Sequence, residues 1–200
     1  MLFASPPKII GICGYPGHGK TTAQGILEKM GVEARDDAAI LRQRVMQEFD
    51  LTEHDVTTQE GKLRVVPGLN GEMMTVRKLL GDYGQIHGEL PHGPNYWVEQ
   101  AIEQVRKDGV QHPVSFGSLR RSQPSAVKAV GGFVIAIHDP RKEISQHYFD
   151  EYDYDDIDVM VINDGELRQL KWMIFSSVRE YLELTREQCG QFTQWVLSGS

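Results

Sequence analysis

Cysteine is scarce in this chain: Cys13 and Cys189 are its only two, and they lie far apart. They offer neither a disulfide framework nor the paired spacing of a metal knuckle. Long apolar runs are missing too, since none approaches the ~20 residues that a membrane span needs. The opening MLFASPPKII has no basic stretch followed by an apolar one, so no secretory signal is expected. Internal repeats, low-complexity tracts and linkers are also lacking. Seven histidines occur, none in a His-x-x-x-His pair, and no Ser-His-Asp arrangement stands out. These absences set aside a disulfide scaffold, a membrane protein and a helical metal site. A reducing cytoplasm is the expected setting.

What is present suits a globular domain. Hydrophobic residues make up 40% of the 200 and charged residues 24%, which excludes a disordered chain. The net charge of −7 comes mostly from one cluster: Asp150, Glu151, Asp153, Asp155, Asp156 and Asp158. Without it the chain is nearly neutral. The cluster lacks the glycine and terminal glutamate of a calcium loop, and Tyr152 and Tyr154 interleave it, so a partly packed surface loop is expected. An acidic total also weighs against unspecific binding to nucleic acid.

Short apolar runs alternate with helical stretches. Strands are expected at Lys8 to Ile12, Val32 to Arg35, His112 to Phe116, Phe133 to Ile137 and Val159 to Ile162. Helices are expected from Lys20 to Met30, Ala38 to Phe49, Met73 to Ile86, Tyr96 to Arg106 and Pro124 to Val130. A long amphipathic helix through Leu167, Leu170, Ile174, Val178 and Tyr181 closes the chain. The stretch from Leu51 to Gly71 has no clear period and reads as an insertion or flexible lobe. This order predicts an α/β fold with a mostly parallel sheet covered on both faces.

The strongest signal is Gly14-Tyr15-Pro16-Gly17-His18-Gly19-Lys20-Thr21, which fits G-x-x-x-x-G-K-[ST] between a strand and a helix. Gly14, Gly17 and Gly19 let the backbone curl so that N–H groups point at phosphate oxygens. The helix that follows adds its positive end, where Thr22 also lies. Lys20 supplies a mobile cation for the β- and γ-phosphates, and Thr21 a hydroxyl for Mg²⁺. His18 either donates to a phosphate or fills a free position. The loop implies ATP as ligand. No N-K-x-D run of the guanine-reading kind is present, so a small phosphotransferase fits better than a GTPase.

Several segments, in order, resemble bacteriophage-type deoxynucleoside monophosphate kinases of the adenylate-kinase-like P-loop group: GYPGHGKTT, DDAAILRQRV, TVRKLLGDYGQ, PNYWVEQAI, AVGGFVIAIHDP and VMVINDGELRQL. They cover most of the chain outside residues 50 to 71. The resemblance implies a P-loop kinase fold over 1–200, with a parallel sheet of about five strands, a small acceptor-binding lobe with an insertion at about 50–71, and a lid at about 138–150. It implies that Lys20 and Thr21 hold ATP and Mg²⁺, and that Asp37 is a carboxylate near the acceptor. Arg42 and Arg77 would grip the acceptor's phosphate, and Arg141 would be the lid cation over the transferring phosphoryl. Trp97 would sit near the acceptor base or simply pack, and Asp37 has the alternative of an N-cap.

One stretch departs from the family pattern. After the strand HPVSF an Asp-x-Arg and a later Glu are expected, but the chain has Gly117, Arg120 and Gln123; Arg120 stands in one place late and is a further candidate for binding the acceptor. Gln85 and Ile86 also replace a Thr-Glu-like pair. Three functions therefore compete. The first is phosphoryl transfer from ATP to a deoxynucleoside monophosphate or similar nucleotide. The second is a kinase of hydroxymethylated bases such as 5-hydroxymethyluracil in phage DNA, and the third a non-catalytic ATP-binding protein. The expected partners are ATP and a nucleotide-like acceptor, with DNA as acceptor in the second reading. A homodimer is left open and no membrane is expected. Host cytoplasm is the expected location if the chain is phage-encoded.

Overall fold

The computed structural model describes residues 6–145 and 150–199. The elements run β1 (Ile9–Cys13), α1 (Lys20–Glu28), β2 (Glu33–Arg35), α2 (Ala39–Phe49), α3 (Glu53–Thr57) and a 3₁₀ turn (Gly61–Leu63). Next come β3 (Val65–Pro67), β4 (Met73–Thr75), α4 (Val76–Gly84), a π-turn (Gln85–Glu89), the short α5 (Leu90–His92) and α6 (Tyr96–Lys107). The chain ends with β5 (Val114–Phe116), α7 (Gln123–Ala129), β6 (Phe133–His138), β7 (Val159–Ile162), α8 (Leu167–Val178) and α9 (Arg186–Leu197). It divides into two compact units: Met1–Asp36 with Gln104–Ser200, and Asp37–Glu103.

The first unit holds a five-stranded sheet in the order β2-β5-β1-β6-β7, every pair parallel. Parallel sheets carry crossover helices on their faces, so their strands are buried on both sides and read as unbroken apolar runs. Accordingly all five residues of β1 are buried. Gly11 is required there: a Cβ would run into Leu119 and stand 3.5 Å from Val127 and Val134. On one side Ile10, Ile12, Leu27, Ile135 and Ile174 share a core with α8 and α9, where Phe175 stacks on Phe192 at 4.7 Å between centroids. Tyr181 pins the C-terminal segment to β1, accepting from Ile9 N at 3.0 Å and donating to Ile9 O at 3.1 Å.

The second unit packs α2, α3 and α4 around Val45, Val56, Val76, Leu79, Tyr83 and Trp97. A capping box opens α3: Asp55 N donates to Thr52 Oγ1 at 3.3 Å, and Thr52 N to Asp55 Oδ2 at 2.9 Å.

Three expectations are corrected. Met73 to Thr75 is not the start of a helix but β4, paired antiparallel with β3; Thr75 then caps α4 by accepting from Lys78 N at 3.3 Å. The stretch from Leu51 to Gly71 contains α3, the 3₁₀ turn and β3, and buries Leu51, Val56 and Val66. The long C-terminal helix stops at Val178, and Glu183 turns at φ 56° before α9 begins under its own capping box, Thr185 with Gln188. Among the described residues no helix is long and apolar enough to cross a membrane.

Candidate functional site

In an open parallel α/β sheet, ligands bind beyond the carboxyl ends of the strands. The loop of residues 14–19 emerges there from β1. Gly14, Gly17 and Gly19 have φ of 143°, 80° and 106°, values an L side chain rarely adopts. A Cβ on Gly14 would stand 2.5 Å from Ile137 O, and one on Gly19 would stand 2.7 Å from Asn163 Nδ2. The loop is thus pressed against the ends of β6 and β7 on one side. Gly17, by contrast, is exposed and a Cβ there would meet nothing.

The start of α1 is open to an anion. Its N-cap, Gly19, has no side chain to offer, and the first turn contains no acid. Amide groups at the start of a helix have no partner within it, and together with the helix dipole they favour a negative oxygen. Lys20 Nζ donates to Gly14 O at 2.7 Å and Tyr15 O at 3.0 Å, which holds its charge against the loop. Thr21 and Thr22 are exposed at the same end. These donors fit a polyphosphate, and the Thr21 hydroxyl fits a hard cation that keeps most of its water.

His18 points inward. It is fully buried, and its Nδ1 accepts from Asp139 N at 3.1 Å, while Nε2 faces Glu143 O at 3.3 Å. A backbone N–H only donates, so Nδ1 keeps its lone pair and Nε2 carries the hydrogen. The ring has no nitrogen left for a phosphate, which corrects the expectation that it could donate to one. Tyr15 lies beside it, 5.5 Å from the rings of both His18 and Tyr152. Burial, a hydrogen bond with Tyr154 and the charges of Glu151 and Asp150 push the Tyr15 hydroxyl up to about 12. The Tyr152 hydroxyl is buried without a hydrogen-bond partner among the described residues.

Arg141 follows β6. Asp139 grips it three times, accepting from Arg141 N at 2.9 Å, Nε at 2.8 Å and Nη2 at 2.9 Å. The guanidinium holds the Asp139 carboxyl down at about 2. Residues 146–149 of the expected lid lie outside the described residues.

Each of the two acids expected after β5 has a physical replacement. At Gly117 the space is taken by Gln24 of α1, against whose Cδ a Cβ would stand 2.8 Å away. At position 123 the glutamine braces the turn into α7: its Oε1 accepts from Arg120 N at 2.9 Å, and its own N–H donates to Arg120 O at 2.9 Å. Arg120 is exposed. Arg121, at φ 49°, clips the acidic segment by donating to Glu151 O at 2.5 Å and accepting from Asp153 N at 2.9 Å.

Of the residues expected on the acceptor side, Asp37, Arg42, Arg77 and Trp97 belong to the second unit and Arg120 to the first. Asp37 directly precedes Ala38, the N-cap of α2. Arg42 is half-buried on α2. Arg77 is exposed in the first turn of α4, with Nη2 donating to Gln59 Oε1 at 2.5 Å. Trp97 is a core residue: it is 4% exposed, donates to Gly84 O at 2.9 Å and packs on Gly88. Of its two expected places, the structure gives it the packing one. No local pattern marks Gln24, Asp139 or Asn163 as functional, although the last two stand in a His-Asp-Pro and an Asn-Asp-Gly run.

No protein-family model and no curated protein matches the chain. Solved structures of similar fold include a dephospho-CoA kinase from Campylobacter jejuni, 14% identical, covering 88% of this chain and 97% of its own, with a TM-score of 0.47. A sugar kinase from a Janibacter species is 12% identical over 89% of this chain and 98% of its own, with a TM-score of 0.46. Shikimate kinase from Aquifex aeolicus is 13% identical over 88% and 99%, with a TM-score of 0.42. At identities this low, the chain's own residues carry the functional reading.

Proposed function

We propose that this chain binds Mg²⁺-ATP at the loop of residues 14–21 and transfers the γ-phosphoryl to a small nucleotide-like acceptor, a deoxynucleoside monophosphate first among them. The observation that carries this is the open start of α1: a glycine N-cap, no acid in the first turn, and Lys20 beside it.

In this reading the acceptor oxygen attacks the γ-phosphorus and the bond to the β,γ-bridging oxygen breaks. The charge that builds on that oxygen falls to Lys20 and the loop amides. The Thr21 hydroxyl would help hold Mg²⁺, which would supply charge neutralisation at the polyphosphate. The Arg141 guanidinium covers the phosphoryl in flight. An acceptor that is itself a phosphate monoester is mostly dianionic at neutral pH. It needs no strong base, and Asp37 then orients rather than deprotonates.

Arg77 supports an anionic acceptor. A cation in the first turn of a helix opposes the helix dipole. Both Arg77 and Lys78 stand in the first turn of α4. Lys78 is answered by Asp82 at 2.6 Å, whereas Arg77 donates to the neutral Gln59. A bound phosphate would answer that charge.

Calorimetry with Mg²⁺-ATP, followed by a panel of all deoxynucleoside monophosphates and hydroxymethyluracil-containing DNA, tests the proposal. Micromolar-range ATP binding and transfer to at least one free nucleotide are expected. Transfer to DNA alone would move the assignment to the base of a polymer. ATP binding with no transfer would make the chain a non-catalytic binder.

A further inference from the structure

The loops that follow β1, β6 and β7 are joined in a closed ring of hydrogen bonds. It starts at His18, whose Nδ1 accepts from Asp139 N at 3.1 Å. The Asp139 carboxylate holds Arg141 through Nε at 2.8 Å and Nη2 at 2.9 Å. Arg141 Nη2 also donates to Asn163 O at 3.0 Å. Asn163 Nδ2 then donates to His18 O at 3.0 Å, closing the ring on the residue where it began. A side strut joins His18 Nε2 to Glu143 O.

We infer that His18 is a positioning residue: through this ring it ties the curl of the phosphate loop to the placement of the Arg141 guanidinium. The inference rests on the phosphoryl-transfer reading above. A fully buried imidazole is costly unless both nitrogens are partnered. Here both partners belong to the segment that carries Arg141, and neither to the loop's own helix. Only the tautomer with hydrogen on Nε2 satisfies both.

The ring also decides which edge of Arg141 is free. A guanidinium has N–H groups on Nε, Nη1 and Nη2. Asp139 and Asn163 take the Nε and Nη2 edge, while Nη1 has no partner among the described residues, and the side chain is 56% exposed. One edge is therefore clamped to the same atoms that hold the phosphate loop, and the other is left for an anionic oxygen. Moving the loop would move the cation with it.

Amide hydrogen exchange on the ligand-free protein tests the tie without needing activity. His18→Leu should speed exchange at Asp139 and at residues 141–143 by at least ~10-fold while β1 and β6 keep their protection. His18→Asn, whose side-chain oxygen can stand where Nδ1 stands, should bring the rate back to within ~3-fold of wild type. Asn163→Asp removes the donor to His18 O from the half-buried side and should loosen the same residues. Unchanged exchange in both His18→Leu and Asn163→Asp overturns the tie. Equal acceleration through β1 and β6 marks general destabilisation and overturns it too.

With Mg²⁺-ATP and the best acceptor of the panel, His18→Leu should lower kcat by ~10–100-fold with ATP KM within ~3-fold, and His18→Asn should restore most of the turnover. Faster exchange with kcat unchanged overturns the positioning role. If wild type phosphorylates no acceptor, the phosphoryl-transfer reading fails by itself, and the exchange rates still decide whether His18 ties the two loops.

Discussion

Gly117 and Gln24 occupy one another's space at the carboxyl end of β5: a Cβ on Gly117 would run into Gln24 Oε1 and stand 2.8 Å from its Cδ. Gln24 Nε2 reaches back to Ser115 O at 3.3 Å and Ser115 Oγ at 3.4 Å. Gln24 lies three residues beyond Thr21, on the same face of α1. Where an aspartate was expected, an amide from α1 stands instead.

This pairing should be measurable as a coupling. We expect Gly117→Ala to cost about 1–2 kcal/mol, because Gln24 must swing away. In a Gln24→Ala background that cost should largely vanish, so the coupling should be of the same size, about 1–2 kcal/mol. Urea midpoints of the four proteins check it; the same cost in both backgrounds would show that the space is not shared.

Lys20→Ala should lower transfer by roughly 10²–10³-fold or more, the scale of losing one group that stabilises transition-state charge. The fold should survive, since the Lys20 ammonium donates to Gly14 O at 2.7 Å and Tyr15 O at 3.0 Å, carbonyls of its own loop at the sheet's end. Near-normal turnover by a folded variant would reject phosphoryl transfer at this loop. Turnover and thermal unfolding of the same sample decide it.

The sheet was legible in the sequence because parallel strands buried on both faces leave short β-branched runs such as Ile9–Cys13 and Val159–Ile162. The curled loop after β1 was legible because its backbone demands glycine at fixed spacing. The hairpin of β3 and β4 was not: three residues a strand are too short for a period, and Met73-Met74 reads equally well as helix. α9 carried a signal in Thr185 and Gln188, a capping pair, but its stripe of Phe192 and Val196 is short. The ring through His18 and Asn163 joins residues 145 positions apart, and no local pattern records it.

Asp55 should make stability pH-dependent. Hydrogen bonds from Thr52, backbone then side chain, and the Arg64 guanidinium at 2.8 Å hold its carboxyl at about 2. A carboxyl held below its unfolded value of ~3.9 stabilises the fold above that pH and loses the contribution as pH falls through its folded value. The gap in urea midpoint between wild type and Asp55→Ala should therefore be full near neutral pH and close between about pH 4 and 2. A gap that stays constant to pH 2 would show that charge is not its source.

Trp97 should behave as a core residue and not as a base-stacking one. Trp97→Phe gives up the bond to Gly84 O and should cost about 1–3 kcal/mol. Gly88→Ala should cost a similar about 1–3 kcal/mol, since its Cβ would stand 2.5 Å from Trp97 Cε2 and the ring is held by its own hydrogen bond. Acceptor KM should move by less than ~3-fold in Trp97→Phe. A large rise in acceptor KM with stability unchanged would instead put the ring against the acceptor.

Arg77 gives the sharpest separation of donor from acceptor. Its side chain is exposed in the first turn of α4, where a cation works against the helix dipole. Arg77→Ala should therefore leave stability unchanged or raise it slightly, by about 0.3–1 kcal/mol. A charge-assisted hydrogen bond to a phosphate is worth about 1.5–3 kcal/mol, so acceptor KM should rise roughly 10–100-fold while ATP KM stands. Steady-state kinetics with each substrate varied in turn, beside a melting curve, reads all three quantities from one variant. A rise in ATP KM with acceptor KM constant would place Arg77 at the donor. A loss of stability would show that its bond to Gln59 supports the fold.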